Sequence, residues 1–287
     1  MKKTLFAICA LLSFFTSSHA QKFFDIYYNG SIVSSVRAAD VDSMVISESN
    51  GGRMLNFYQN GEVFHQTLTS RVDSIKVVNI GDEPLVHHGI VDLGLPSGTL
   101  WATCNIGANA PEEYGDYFAW GETEGYFSGK THFEWDTYKW CQGSYNALTK
   151  YCTDSRYGTV DNKKELDLED DAAYVNWGPG WRMPSSSQFE ELINSNYTTT
   201  TWTTLNGVYG RMITSKRNGN SIFLPAPGGR HEDSLINAGS DGSYWSRTLG
   251  MSYSSDASGL FFNPYNIIVG GDSRCFGRSV RPVRITE

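Results

Sequence analysis

Residues 24–46 (FDIYYNGSIVSSVRAADVDSMVI) align without a gap, at an offset of 31, with residues 55–77 (LNFYQNGEVFHQTLTSRVDSIKV). Tyr27 and Tyr58, Asn29-Gly30 and Asn60-Gly61, Val41 and Val72, and Asp42-Ser43 and Asp73-Ser74 coincide. In each copy an Asn-Gly pair lies between β-rich arms, the strongest short-range signal for a two-residue hairpin turn. An apolar third strand follows, around Met44–Ile46 in one copy and Ile75–Val78 in the other. The expectation for residues 21–80 is therefore a small all-β module of two three-stranded units packed together. Duplication constrains the fold; it names no ligand.

The first twenty residues carry a different signature. Lys2 and Lys3 precede an apolar run from Leu5 to Phe15, and Ser18-His19-Ala20 gives a small–x–small cleavage pattern, so Met1–Ala20 reads as a secretory signal peptide. The run is too short to span a bilayer, and no later segment reaches the length of a membrane span. The expected location is the periplasm or the cell exterior. Taking Lys2 and Lys3 from the 23 basic residues leaves 21 against 31 acidic ones, a net charge of −10. Such a chain repels phosphate backbones, which argues against nucleic acid as a partner. Cys104, Cys141, Cys152 and Cys275 remain after processing. Export permits disulfides, and four cysteines allow three pairings; the candidates are 104–275 with 141–152, against four buried free thiols. No C-x-x-C is present, so structural zinc and thioredoxin-like chemistry have no support.

Residues 81–89 form a polar linker, and the texture then changes for residues 90–287. Short strand-like runs (Ile90–Leu93, Leu100–Ala102, Tyr117–Trp120, Ile222–Leu224, Leu260–Phe262, Val280–Arg284) alternate with loops rich in Gly, Asn and Ser. A helix is predicted over Ser185–Asn194, where serine hydroxyls precede Phe189, Leu192 and Ile193 at helical spacing. A second is predicted over Glu169–Val175, led by Asp170 and Asp171.

Six ordered blocks then carry a resemblance: VDLGLPSGTLWATCNIGA (91–108), EEYGDYFAWGET (112–123), DDAAYVNWGPGWRMPSSSQFEEL (170–192), NGNSIFLPAPGGR (218–230), GSYWS (242–246) and RCFGRSVRPV (274–283). Together they resemble the Fibrobacter succinogenes major paralogous domain, a family of exported proteins of the Bacteroidetes and Fibrobacteres. WRMPSSSQFEEL and SVRPV are also similar to elements of the formylglycine-generating enzyme family. The resemblance implies an α+β fold: a C-type-lectin-like domain of short strands with two helices, following the duplicated module. It also implies that Trp101, Trp120, Trp177, Trp181 and Trp245 are core residues.

The enzyme reading fails on its chemistry. Formylglycine-generating enzymes pair two late cysteines, and here Cys275 stands alone in that stretch. No helical H-x-x-x-H spacing offers an iron site, and no G-x-S-x-G elbow is present. GYFSGKT (125–131) is one residue short of a phosphate loop and reads as a surface turn. The acidic run Asp167, Glu169, Asp170 and Asp171 could ligate a cation, but reads better as a helix start. No catalytic residue, cofactor or metal is expected. The best candidate surface is 247–274, with Tyr253, Asn263, Tyr265, Asn266 and Asp272 as contact residues, because such side chains combine rigid aromatic contact with adaptable hydrogen bonding. Trp135, Trp140 and Trp202 lie outside the six blocks and could stack on a sugar ring. The expected function is non-catalytic recognition of a glycan, peptide or cell-surface protein. A structural or adhesive surface component is the first alternative, and a divergent formylglycine-generating-type enzyme the second.

Overall fold

A computed structural model describes residues 21–28, 31–37, 41–49, 52–72, 74–80 and 89–284. The signal-peptide expectation, the first Asn-Gly turn and the linker at 81–88 lie outside them. The chain divides into two compact units, Met1–Gly89 and Ile90–Glu287.

The first unit contains β1 (Gln21–Tyr28), β2 (Ser31–Arg37), β3 (Ser43–Ser49), β4 (Gly52–Gln59), β5 (Glu62–Leu68) and β6 (Ser74–Ile80). Its duplication is visible in the register. Ile26 pairs with Ile75 and Phe57 with Met44, the same pairing displaced by one repeat. The β1–β2 and β4–β5 ladders both slip at the matching step, between Ile26 and Tyr27 and between Phe57 and Tyr58. Asn60 and Gly61 both take positive φ (52° and 82°), as the predicted hairpin turn requires.

The copies do not form separate three-stranded units, however. The sheets run β2-β1-β6 and β3-β4-β5, so each hairpin takes its third strand from the other copy. Only two residues separate β3 from β4, and Ser49 pairs with Gly52. That short connection makes β3 the hairpin partner of the next copy, since sequential strands joined by tight turns pair antiparallel. Alternate residues face inward: Phe24, Ile26, Leu55 and Phe57 form the core, two repeat-related pairs, with the Phe24 and Phe57 ring centroids 6.5 Å apart.

The second unit is built from short antiparallel sheets. β7 (Ile90–Asp92), β8 (Leu100–Ala102), β18 (Val283–Arg284) and β9 (Trp181–Arg182) form one in the order β7-β8-β18-β9, which brings both ends of the unit together. β10 (Thr198–Leu205), β11 (Val208–Ser215) and β12 (Ser221–Pro225) form a second; β13 (Gly229–His231) and β14 (Ser234–Ile236) a third; β15 (Gly242–Leu249), β16 (Asp256–Phe262) and β17 (Ile267–Ser273) a fourth.

Two helices occur among the described residues, α1 (Ala172–Trp177) and α2 (Ser186–Leu192). Their caps are the predicted ones in part. Ser185 accepts from the Gln188 amide at 3.1 Å while its own amide donates to Gln188 Oε1 at 2.8 Å, a reciprocal cap. Asp171 caps α1 through the amides of Ala173 and Tyr174, whereas Asp170 lies outside that helix.

The predicted α+β class is corrected. Of the described residues 41% are strand and 9% helical, and no pair of helices packed on a lectin-like core is present among them. The helices are short, at six and seven residues, because Gly178 ends the first and the chain turns back after Leu192 in the second. The unexpected strand content of the second unit comes above all from the β-branched run TTTTWTTL of β10 and from 247–274, where β16 and β17 extend well beyond the predicted strand at Leu260–Phe262.

The core tryptophans are where the resemblance implied. Trp101, Trp120 and Trp245 are fully buried, and Trp177 packs edge-on against Trp181 at 5.0 Å.

Candidate functional site

Between β8 and α1 the chain is almost free of regular strands, and single bridges hold it. Leu148, buried, pairs with both Cys141 and Gly158. Its amide donates to Tyr157 O at 2.7 Å and its carbonyl accepts from Thr159 N at 2.8 Å. Gly158 lies at φ 144°, and a β-carbon there would run into the Leu148 backbone, so only glycine allows this approach. The Thr153 amide donates to Ser254 Oγ at 3.0 Å, which ties this region to the turn before β16. Cys141 Sγ donates to Trp135 O at 3.0 Å.

These anchors assemble a row of aromatic rings that no single stretch of sequence contains. Trp135 lies 6.5 Å from Tyr145, Tyr145 6.4 Å from Tyr157, and Tyr157 6.3 Å from Tyr253, centroid to centroid. Successive planes are tilted by 58° to 64°. Tyr145 and Tyr253 are about half exposed (52% and 54%), while Trp135 and Tyr157 are partly buried. The row is thus fixed from below and open above. Met251, fully exposed, is two residues from Tyr253, and the Arg156–Asp154 ion pair flanks Tyr157.

Under the row sits Arg274, fully buried and facing no carboxylate among the described residues. Its Nε donates to Tyr138 Oη at 2.9 Å, Nη1 to the carbonyls of Tyr151 (3.0 Å) and Ser254 (2.9 Å), and Nη2 to Lys150 O at 3.0 Å. The guanidinium also lies over the rings of Trp120, Tyr138 and Tyr151. Tyr138 in turn packs perpendicular to Trp135 at 5.5 Å. One planar cation therefore joins three of the segments that carry the row. Burial pushes the Tyr138 hydroxyl well above the ordinary tyrosine range, so it stays protonated.

The residues predicted on 247–274 do not share a surface. Tyr253 joins the row. Asn263, Tyr265 and Asn266 form the β16–β17 turn, where Asn263 Oδ1 accepts from the amides of Tyr265 and Asn266 and Arg211 binds the turn's carbonyls. Tyr265 is 95% exposed, but the asparagines serve the turn itself. Asp272 pairs with Arg278 at 2.6 Å. Phe262 pairs with Ile267 at one end of the hairpin and Asp256 with Ser273 at the other; at ~3.3 Å per residue the turn and Tyr253 lie on the order of 20 Å apart. Of the other tryptophans, Trp140 donates to Gly121 O at 2.7 Å beneath Lys139 and Lys150, and Trp202 stacks on Tyr209.

Cys104, Cys141, Cys152 and Cys275, the cysteines among the described residues, are free, so neither proposed disulfide is formed. Cys152 and Cys275 are buried in the cluster that Cys141 joins at its edge, while Cys104 is outside it. Burial first, and the charge of Glu134 second, push the Cys275 thiol well above its usual range. The nearby pocket of about 540 Å³, lined by Glu122, Lys130, His132 and Lys139 among others, is internally paired: Lys130 binds Glu122 at 2.8 Å.

Two groups of ligand-type side chains converge among the described residues, Asp167 with Glu169 and Asp170, and Glu134 with His231 and Glu232. The first already holds a cation. Lys150 Nζ is 2.7 Å from Asp167 and 2.6 Å from the buried Asp170. Hydrogen bonds from Lys150 and Lys163 hold the Asp167 carboxyl down to about 2. Desolvation would depress Lys150, yet its bonds to Asp167 and Asp170 raise it. The run expected as a helix start thus splits, with Asp171 capping α1 and the others binding lysine.

No family model, curated protein or solved structure matches the chain. Function is therefore read from the chemistry of the site alone. Among the described residues no helix is long and apolar enough to cross a membrane.

Proposed function

We propose that the protein is an exported, non-catalytic binding protein whose second unit holds an extended glycan along Trp135, Tyr145, Tyr157 and Tyr253. The row of four rings at near-equal spacing is the observation that carries this reading. Aromatic faces offer apolar contact to the C–H faces of sugar rings at low entropy cost, since each ring has only two side-chain torsions. Repeated, tilted rings suit a chain of repeated units better than a single small ligand. The ion pair of Asp154 and Arg156 beside Tyr157 supplies hydrogen-bonding groups at the edge. No reactive constellation is needed: the nearby thiol of Cys275 is held protonated, and the acidic group is neutralised by lysine.

Screening the chain from Gln21 onward on a glycan array tests this reading. Binding to oligosaccharides that strengthens with chain length supports it; equal signals on all glycans and on blank spots would refute it.

A further inference from the structure

The second group of ligand-type side chains has a different character. Glu134 and His231 come from segments joined by the antiparallel bridge Phe133–Glu232, in which each amide donates to the other's carbonyl at 3.0 Å. His231 Nε2 lies 3.2 Å from Glu134 Oε2, and a Glu232 oxygen completes a set whose members all lie within 4.8 Å of one another. Glu232 is at φ 52°, an unusual backbone position for a glutamate, which follows from the tight turn between β13 and β14.

We infer that Glu134, His231 and Glu232 form a binding site for one divalent transition-metal ion of the zinc type. Zinc holds nitrogen and carboxylate oxygen at ~2.1 Å in a tetrahedral array, which sets donor atoms ~3.4 Å apart. The His231–Glu134 separation is already close to that edge, and Glu232, on an exposed side chain, needs to close by at most ~1.4 Å. One imidazole with two carboxylates suits zinc and its neighbours, whereas calcium takes six to eight oxygens. The surroundings hold the first ligands in place. The Trp135 amide donates to Glu134 Oε1 at 2.8 Å, the Cys275 thiol approaches the same oxygen at 3.9 Å, and the Phe276 ring packs edge-on against His231 at 4.6 Å. Such outer contacts orient metal ligands. Unlike the Asp167 group, this one pairs with no lysine or arginine among the described residues, so two carboxylates share one imidazole. His132 is not a member, because its two ring nitrogens face Asp233 (2.7 Å) and Asp136 (3.5 Å).

The test is equilibrium dialysis of the chain from Gln21 onward against zinc, with bound metal counted by mass spectrometry. It is run in a His87→Ala/His88→Ala background, because that adjacent pair could itself take up zinc. The expected result is one zinc per chain in the background protein. His231→Ala weakens binding at least tenfold, Glu232→Gln weakens it measurably, and His132→Ala leaves it unchanged. Excess calcium does not displace the ion. Circular dichroism confirms that each variant is folded, and the exposed Glu232 keeps the test meaningful should His231→Ala unfold. No saturable binding in the background protein, as a plain imidazolium–carboxylate pair would give, overturns the inference. So does full binding by His231→Ala, or displacement by equimolar calcium.

Discussion

Replacing Arg274 by methionine removes a group that joins three of the segments beneath the aromatic row. Methionine preserves much of the aliphatic stem but none of the donors. Four acceptors then lose their partner: Tyr138 Oη and the carbonyls of Tyr151, Ser254 and Lys150. A buried acceptor left without a donor costs ~1–3 kcal/mol. Taken at the low end, ~1 kcal/mol each, the four together lose ~4 kcal/mol. Contact with three aromatic rings adds ~0.5–1 kcal/mol each. Against these stands relief from burying a cation, worth several kcal/mol. The net loss should be on the order of a few kcal/mol, since the lost hydrogen bonds and ring contacts outweigh that relief only in part. All eight tryptophans lie in the second unit, so their fluorescence during urea unfolding follows that unit alone. Arg274→Lys should recover only part of the loss, since an ammonium cannot reach four acceptors from one plane. A loss under ~1 kcal/mol for Arg274→Met, at unchanged urea dependence, would refute the reasoning.

Other expectations follow from the same geometry. Gly158→Ala should destabilise the second unit by more than ~1 kcal/mol, through its clash with Leu148, while Gly207→Ala, where nothing lies near, should cost only the strain of a positive φ; urea unfolding of both variants checks the difference. Thiol titration in denaturant should find four free thiols on the chain from Gln21 onward, and two or none would show a disulfide. The His132 midpoint, followed by NMR, should lie above the ordinary histidine range because of its hydrogen bond to Asp233, and should fall in Asp233→Asn. A raised folded-state value means that this pair's stabilisation is complete below the ordinary histidine range and is lost as pH rises through the raised midpoint.

Local signals in the sequence translated well where one short segment contained the whole device. Ser185 and Gln188 sit three apart and cap α2 as spacing requires, and Asn60-Gly61 makes its turn. The duplication held in register down to the matching ladder slips, yet the exchange of third strands between copies did not show, because pairing depends on connection length and not on repeat boundaries. Periodicity failed for Thr198–Leu205, a run without apolar alternation whose strand character lies in its β-branched threonines. Outside Leu260–Phe262 the segment 247–274 reads as loop because it is rich in Ser, Tyr, Asn, Asp and Gly, but cross-strand pairing makes half of it the β16–β17 hairpin and divides its candidate residues between the two ends. Trp135 and Tyr253 were both singled out in the sequence for separate reasons. Tyr145 and Tyr157 were not, since tertiary contacts such as the bridges at Leu148 and the bonds of Arg274 bring them into line.

The row itself is tested by titrating calorimetrically the best array oligosaccharide into the intact protein and into Tyr145→Ala/Tyr253→Ala. Both rings are about half exposed, so the fold should persist. At ~1 kcal/mol of contact per ring, the pair is worth ~2 kcal/mol, or about a thirtyfold weaker Kd in the double variant. Unchanged affinity in a folded double variant would contradict the assignment of glycan binding to these rings.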